Sequence, residues 1–139
     1  MTPTVDHAAY RQGRIVWTLL LAALAAYYVV IRVVLAQPGT PLLTDAASMR
    51  NVFFLLSAAV VGVIVLFQRG VLPIQAREGL SVAYLRHVLC WALAESIGLY
   101  GMVLAFQTRQ ADDAHVFLVV AAALLVWLRP QPERFPPNP

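Results

Sequence analysis

Charged residues are scarce in this chain, and their scarcity argues against the commonest class of protein. Asp, Glu, Lys and Arg together make up 12% of the 139 residues, whereas apolar residues make up 60%. Soluble domains carry about 25% charged residues. A soluble globular domain is therefore disfavoured, and the composition favours an all-α integral membrane protein.

The lack of several residue types and motifs excludes further classes of function. The single cysteine, Cys90, excludes an intrachain disulfide. All ten basic residues are arginines, and the net charge of +3 is spread over several loops, which is too diffuse for a nucleic-acid-binding surface. No Ser-His-Asp motif, glycine-rich phosphate loop or haem-attachment motif occurs. We expect no enzyme, no cofactor and no nucleic-acid partner.

Four apolar stretches predict a bundle of four transmembrane helices, at about 15–35, 46–67, 82–106 and 114–129. A polar lead (1–14) precedes them, and a proline-rich tail (130–139), expected to be extended, follows. The first stretch has an alternative interpretation as a signal peptide cleaved after Ala36, but its apolar run is longer than the usual signal core of about 7 to 15 residues. A retained helix is therefore preferred.

The fourth stretch is the shortest. Its continuous apolar part, 116–128, makes about 20 Å of helix, against a hydrocarbon core of about 30 Å. The alternatives are a span in a locally thinned bilayer, or a re-entrant or interfacial segment. An interfacial helix needs a charged face, which this stretch lacks. We therefore predict a span, with Asp112 and Asp113 placed to cap the helix.

The arginines predict the orientation. Four spans place both termini and the second connection on one side, which then holds Arg11, Arg14, Arg69, Arg77, Arg86, Arg129 and Arg134. The other side holds Arg32, Arg50 and Arg109. By the positive-inside rule both termini are cytoplasmic. Arg32 lies within the first span, near its outer end, and is expected to extend toward the membrane surface.

Small residues mark the helix faces expected to pack closely, since membrane helices associate through close backbone approach. The third span has four of them on one face, spaced four, three and four: Ala94, Gly98, Gly101 and Ala105. The second span has Ala58 and Gly62, with Ser57 alongside, and the first has Ala22 and Ala26. We expect these faces to form the helix–helix contacts.

Glu95 is the residue that most needs an explanation. It lies in the uninterrupted apolar run 88–106, roughly 3 Å from the centre of the bilayer at 1.5 Å per residue. A carboxylate there is costly, so such residues usually face a protein interior, pair with another group or bind a proton. Gly98 lies one turn away, which places Glu95 beside an expected close helix contact.

The residues around Glu95 resemble a known helix. The segment Ala92-Leu-Ala-Glu95-Ser96-Ile97-Gly98-Leu99-Tyr100-Gly101-Met102-Val103-Leu104-Ala105 is similar to the carboxylate-bearing helix of subunit c, the proteolipid of rotary ATP synthases. Arg77 and Glu78 stand where that family has its polar loop, so the resemblance covers residues 77–106. The preceding span has one glycine, Gly62, where the family has a glycine repeat, and four spans are predicted rather than two.

The resemblance implies that Glu95 binds an ion, with Ser96 and Tyr100 in support, in a homo-oligomer. Sodium-type members of that family add a Gln from the neighbouring helix to the Ser and Tyr that follow the Glu. The second span here has no internal Gln, so the resemblance implies a proton rather than sodium. The whole chain also resembles small four-span bacterial membrane proteins, through the Arg86-x-x-x-x-Trp91-Ala92-Leu93-x-Glu95 pattern, which implies a bacterial inner-membrane location.

Two functional hypotheses follow. In the first, the protein is a proton-binding subunit or oligomer that uses Glu95. In the second, it is a structural or accessory subunit of a larger membrane complex, and Glu95 is a hydrogen-bond partner buried between helices. Membrane lipid is a partner in both. His87 and Cys90 lie three apart on one helical face, but two ligands do not make a zinc site, so no metal is expected.

Overall fold

The computed structural model describes residues 6–42, 46–75 and 81–135. Regular structure in these ranges is helical throughout, which confirms the all-α class. Helix α1 is His7–Ala36, α2 is Ala46–Gln68, α3 is Val82–Thr108 and α4 is Ala111–Trp127, and a 3₁₀ turn follows at Pro132–Arg134. Each predicted segment falls on one helix, although α1 begins well inside the predicted polar lead.

The helix boundaries have local causes. The Asp6 carboxylate accepts hydrogen bonds from the first amides of α1, at 3.1 and 3.0 Å, and the Ser81 hydroxyl accepts one from Tyr84 at the start of α3. These contacts satisfy amides that have no partner within the helix. Helix α2 ends at Gln68, and Gly70 lies in the turn that follows. The Gly70 φ of 70° permits the paired hydrogen bonds from Gly70 N–H to Phe67 O and from Val71 N–H to Leu66 O. The Asp6 cap explains why α1 starts at His7.

Helix α3 is the centre of the bundle. It packs against α4 most extensively and against both α1 and α2, while α1 and α4 also contact each other. In its most apolar stretch 44% of the residues are buried, compared with 11% in α1 and in α2. Helices α1, α3 and α4 therefore form a three-helix core, and α2 packs mainly on the α3 side of it.

The small-residue face of α3 lies where the sequence predicts a close contact. Ala94, Gly98, Gly101 and Ala105 are all buried. A Cβ at Gly101 would lie 2.7 Å from Phe117 Cβ and 3.0 Å from the Ala114 carbonyl oxygen. The backbone of α4 therefore approaches α3 as closely as it does because position 101 has no side chain.

The small residues of the other two helices lie elsewhere than expected. Ala22, Ala26, Ala58 and Gly62 are exposed within this chain, and a Cβ at Gly62 would meet nothing within 4 Å. Helix α2 instead contacts α3 through some of its larger residues, such as Phe53, whose ring stacks on Tyr100, and its buried residues are Ser57 and Ile64. Larger side chains, rather than Ala58 and Gly62, therefore form the contact of α2 with α3.

Two tryptophans donate hydrogen bonds to carbonyl groups at the end of α4. The indole N–H of Trp17 on α1 donates to the Leu125 carbonyl at 2.7 Å, and that of Trp91 on α3 donates to the Leu128 carbonyl at 2.8 Å. The last carbonyl groups of a helix have no partner within it, and in an apolar medium an unpaired carbonyl is costly. These two bonds therefore tie the end of α4 to both of its neighbours.

At the opposite end of the bundle Arg109 has a similar role for α1. Its guanidinium donates to the carbonyl oxygens of Val34, at 3.2 Å, and of Gln37, where α1 ends. Its backbone adopts φ 60°, which ends α3 and begins the turn into α4. A Cβ at Gly39 would lie 3.2 Å from the guanidinium carbon, so the glycine leaves room for this contact.

The start of α4 differs from the prediction. Asp112 and Asp113 lie in its first turn, where negative charge suits the helix dipole, but the helix begins after Gln110 with no side-chain cap. Neither acid is the N-cap, because the helix already starts at Ala111. Asp113 pairs with Arg50 of α2 at 3.5 Å.

The expected extended tail is wrong for residues 132–134, which form the 3₁₀ turn. After the 3₁₀ turn Phe135 is 1% exposed, and its ring lies 5.8 Å from that of Tyr10 and 5.0 Å from that of His87. The Phe135 carbonyl accepts a hydrogen bond from the Asp6 amide at 3.0 Å. The aromatic ring fits against Gly13, so this part of the tail closes one end of the bundle. Residues 136–139 lie outside the described residues.

Three helices, α1, α2 and α3, are long and apolar enough to cross a membrane. Helix α4 has 17 residues, about 25 Å, at the lower end of the crossing length. It runs antiparallel along α3, with Ala114 and Phe117 against Gly101 and Ala121 against Gly98. The described chain thus has the character of an integral membrane bundle, and the crossing of α4 stays a prediction.

Glycine substitutions test which faces are closely packed. We expect Gly101→Ala to lower the free energy of unfolding by roughly 1–3 kcal/mol, because α4 must move away from α3. The matched change Gly62→Ala meets open space and should raise stability by about 0.5–1 kcal/mol through helix propensity. Unfolding in mixed detergent micelles measures both. Equal stabilities of the two variants would contradict the assigned α3–α4 contact.

Candidate site around Glu95

Glu95 is the middle residue of the 27-residue helix α3. It is partly buried, next to the closely packed face that Ala94 and Gly98 form. Leu24 of α1 packs into the space that Gly98 leaves, since a Cβ there would lie 2.5 Å from Leu24 Cδ2. The glycine thus lets α1 approach α3 one turn away from the carboxylate.

Tyr27 of α1 is the hydrogen-bond partner of Glu95. Its hydroxyl donates to Glu95 Oε1 at 2.6 Å, and both side chains are partly buried. This distance is at the short end of the range for O–H···O hydrogen bonds. The bond joins two helices that are both apolar enough to cross a membrane, so it satisfies one carboxylate oxygen within the protein.

The two residues expected to support ion binding do not reach Glu95. The Ser96 hydroxyl donates to the Leu93 carbonyl of its own helix at 2.7 Å. The Tyr100 ring stacks on Phe53 of α2, with centroids 5.5 Å apart and planes 7° from parallel. Neither residue is hydrogen-bonded to Glu95 in the described part of the chain. The structure therefore brings Glu95 together with Tyr27 rather than with Ser96 and Tyr100.

The sequence alone does not predict the contact between Tyr27 and Glu95, because that contact depends on how α1 and α3 are aligned. The sequence shows two adjacent tyrosines, Tyr27 and Tyr28, in an otherwise apolar run. A tyrosine in such a run usually needs a partner for its hydroxyl. That signal points to a polar contact, but the helix alignment decides which tyrosine meets which carboxylate.

Glu95 has no cationic partner among the described residues. The close contacts there between acidic and basic side chains are Arg50–Asp113 and His115–Asp112, and Tyr27 is the one described residue hydrogen-bonded to the Glu95 carboxyl. Arg32 is exposed near the end of α1, in a shallow cleft with Leu35. The Glu95 carboxyl thus accepts a hydrogen bond from Tyr27 and faces no cation in the described part of the chain.

His87 and Cys90 make separate contacts. The His87 ring contacts the Ala83 carbonyl through Nδ1 at 2.7 Å, and the Cys90 thiol accepts a hydrogen bond from the Gln68 amide of α2 at 3.6 Å. Within the described ranges no three His, Cys, Asp or Glu side chains are grouped so as to hold a metal ion.

No protein-family model, curated protein or solved structure matches this chain. The resemblance of residues 77–106 to subunit c stays a prediction. Its loop portion, with Arg77 and Glu78, lies outside the described residues.

The Tyr27–Glu95 bond predicts a difference between two neighbouring tyrosines. We expect Tyr27→Phe to destabilise the bundle by about 0.5–1.5 kcal/mol, the range of interhelical hydrogen bonds in membranes. Tyr28→Phe is the matched control, because Tyr28 is exposed and its ring packs beside His115. Unfolding in mixed micelles measures both variants. A larger loss in Tyr28→Phe than in Tyr27→Phe would exclude the assigned contact.

Proposed function

We propose that this protein is a non-catalytic, multi-pass membrane subunit in which Glu95 joins two helices by accepting a hydrogen bond from Tyr27. The hydrogen bond of 2.6 Å between α1 and α3 is the observation that carries the proposal. Polar side chains within membrane bundles commonly serve this purpose. Ser96 bonds its own helix and Tyr100 stacks on Phe53, so neither side chain is hydrogen-bonded to the Glu95 carboxyl. This arrangement favours a structural role of Glu95 over ion coordination.

A subunit role also fits the exposed surfaces. Helix α2 packs mainly on α3 and leaves about half of its apolar residues exposed, including Leu55 at 72%. The exposed pair Ala58 and Gly62 has the spacing at which another helix can approach closely. We propose that the complete assembly contains further helices, either from copies of this chain or from a larger membrane complex. The proposed location is the bacterial inner membrane, with both termini cytoplasmic.

A second candidate function is reversible proton binding at Glu95. It is favoured by the partial exposure of Glu95 and by the single hydrogen bond that its carboxyl makes among the described residues. A carboxyl group in this setting can exchange a proton with a partner that reaches it from outside the chain. This candidate keeps the expected proton-binding subunit and replaces Ser96 and Tyr100 with Tyr27 as the supporting residue.

The variant Glu95→Gln separates the two functions. Gln retains a side-chain carbonyl that can accept from Tyr27, but it cannot bind a proton at neutral pH. We expect this variant to assemble normally and to lose less than about 0.5 kcal/mol of stability, since the interhelical bond persists. Vesicles that contain the wild-type protein should conduct protons no faster than vesicles that contain Glu95→Gln.

Carbodiimide labelling adds a second measurement, because it modifies protonated buried carboxyl groups. The exposed Glu133 on the 3₁₀ turn offers a control, Glu133→Gln, for labelling outside the membrane. Labelling confined to Glu95, together with proton flux that Glu95→Gln abolishes, would replace the structural function with proton binding. Unchanged flux with a normally assembled Glu95→Gln variant supports the structural function.

A further inference from the structure

A cleft lies at the end of the bundle where α1 begins and α4 ends. It has a volume of about 410 Å³. Tyr10, Arg14 and Trp17 of α1 form one wall, and Arg129 with the tail residues that follow it forms the other. The Trp17 indole N–H is already bonded to the Leu125 carbonyl, so the two guanidinium groups are the charged donors of this cleft.

A second cleft, of about 400 Å³, adjoins the first on the outer face of α1. It shares Tyr10 and Arg14 with the first cleft, and Arg11, Ile15, Thr18 and Leu19 complete its lining. Ile15 is 55% exposed and Leu19 is 63% exposed. A basic region thus continues directly into an apolar track, Ile15 and Leu19, on a helix that is long and apolar enough to cross a membrane.

The arginines at these clefts are not neutralised within the described chain. Arg11, Arg14 and Arg129 are exposed, and none of them forms an ion pair with a described acidic residue. The nearby Asp6 carboxylate is engaged with the first amides of α1. The Arg14 guanidinium lies 5.9 Å from the centre of the Tyr10 ring, which holds it between the two clefts.

We propose that the two clefts bind one anionic phospholipid. Arg14 and Arg129 hold the phosphate of the headgroup, and an acyl chain lies along Ile15 and Leu19. Guanidinium groups bind phosphate in a geometry that matches its oxygens. Basic pockets between membrane helices are suited to anionic headgroups, and Tyr and Trp are suited to the headgroup level. The proposal depends on membrane insertion of α1 but not on the function of Glu95.

Native mass spectrometry of the purified full chain in detergent tests the proposal by lipid titration. The probes are phosphatidylglycerol, phosphatidylcholine with the same acyl chains, and inorganic phosphate. We expect phosphatidylglycerol to bind at least tenfold more tightly than phosphatidylcholine. Arg14→Gln and Arg129→Gln should each weaken phosphatidylglycerol binding about fivefold. Arg14→Lys should lose less binding than Arg14→Gln because it keeps the charge, but it should not match the wild type because it lacks the paired donors of the guanidinium group.

Arg69→Gln is the matched control, because Arg69 is exposed at the end of α2, outside both clefts. It should leave phosphatidylglycerol affinity unchanged. Equal binding of the two lipids, or an equal loss in Arg69→Gln and Arg14→Gln, would overturn the site. Competition by millimolar inorganic phosphate would show an anion site without lipid specificity and would also overturn the proposal. Circular dichroism confirms that each variant remains helical.

Discussion

The need to pair polar groups without water determines how this bundle is held together. In the apolar part of a membrane an unpaired carbonyl or carboxylate is costly, so a hydrogen-bond partner inside the protein stabilises it. Here the donor and the acceptor lie on different helices. Tyr27 donates a hydrogen bond to Glu95 near the middle of the bundle. Trp17 and Trp91 donate to carbonyl groups at the end of α4, and Arg109 donates to a carbonyl group at the end of α1.

Close packing complements these bonds. Gly101 lets the backbone of α4 approach α3, and Gly98 lets Leu24 of α1 approach it from another side. Because α3 contacts every other helix, a change on its small-residue face affects the whole bundle. Glu95 lies at the border of this face, where its carboxyl can meet Tyr27 while remaining partly exposed. That position explains why a structural and a proton-binding function are both chemically possible.

Much of the helical layout is predictable from the sequence, because long apolar runs broken by polar loops indicate membrane helices. The packed face of α3 is also predictable, since the spacing of Ala94, Gly98, Gly101 and Ala105 is helical. The start of α1 is harder to predict, because the first turns of this helix lie in the polar segment after Asp6, which has no apolar run. The docking of Phe135 is not predictable either, because proline-rich composition indicates extended chain and says nothing of a pocket at Gly13.

The candidate site shows the same division. The unusual position of Glu95 is evident from the sequence, because a lone carboxylate in an apolar run is rare. Its partner is not evident, because Ser96 and Tyr100 are close in sequence whereas Tyr27 is close in space. Spacing along one helix determines the direction in which each side chain points, but the alignment of two helices depends on all their contacts together. The exposed side of α2 cannot be predicted from its own sequence either, because it depends on which residues of α2 contact α3.

A double-mutant cycle measures whether the side chains of Tyr27 and Glu95 interact. It compares the unfolding free energies of wild type, Tyr27→Phe, Glu95→Leu and the double variant in the same micelles. If the two side chains share a hydrogen bond between α1 and α3, the cycle should give a coupling energy of about 0.5–1.5 kcal/mol. A coupling energy of zero, with all four proteins folded, would contradict the contact on which this account rests.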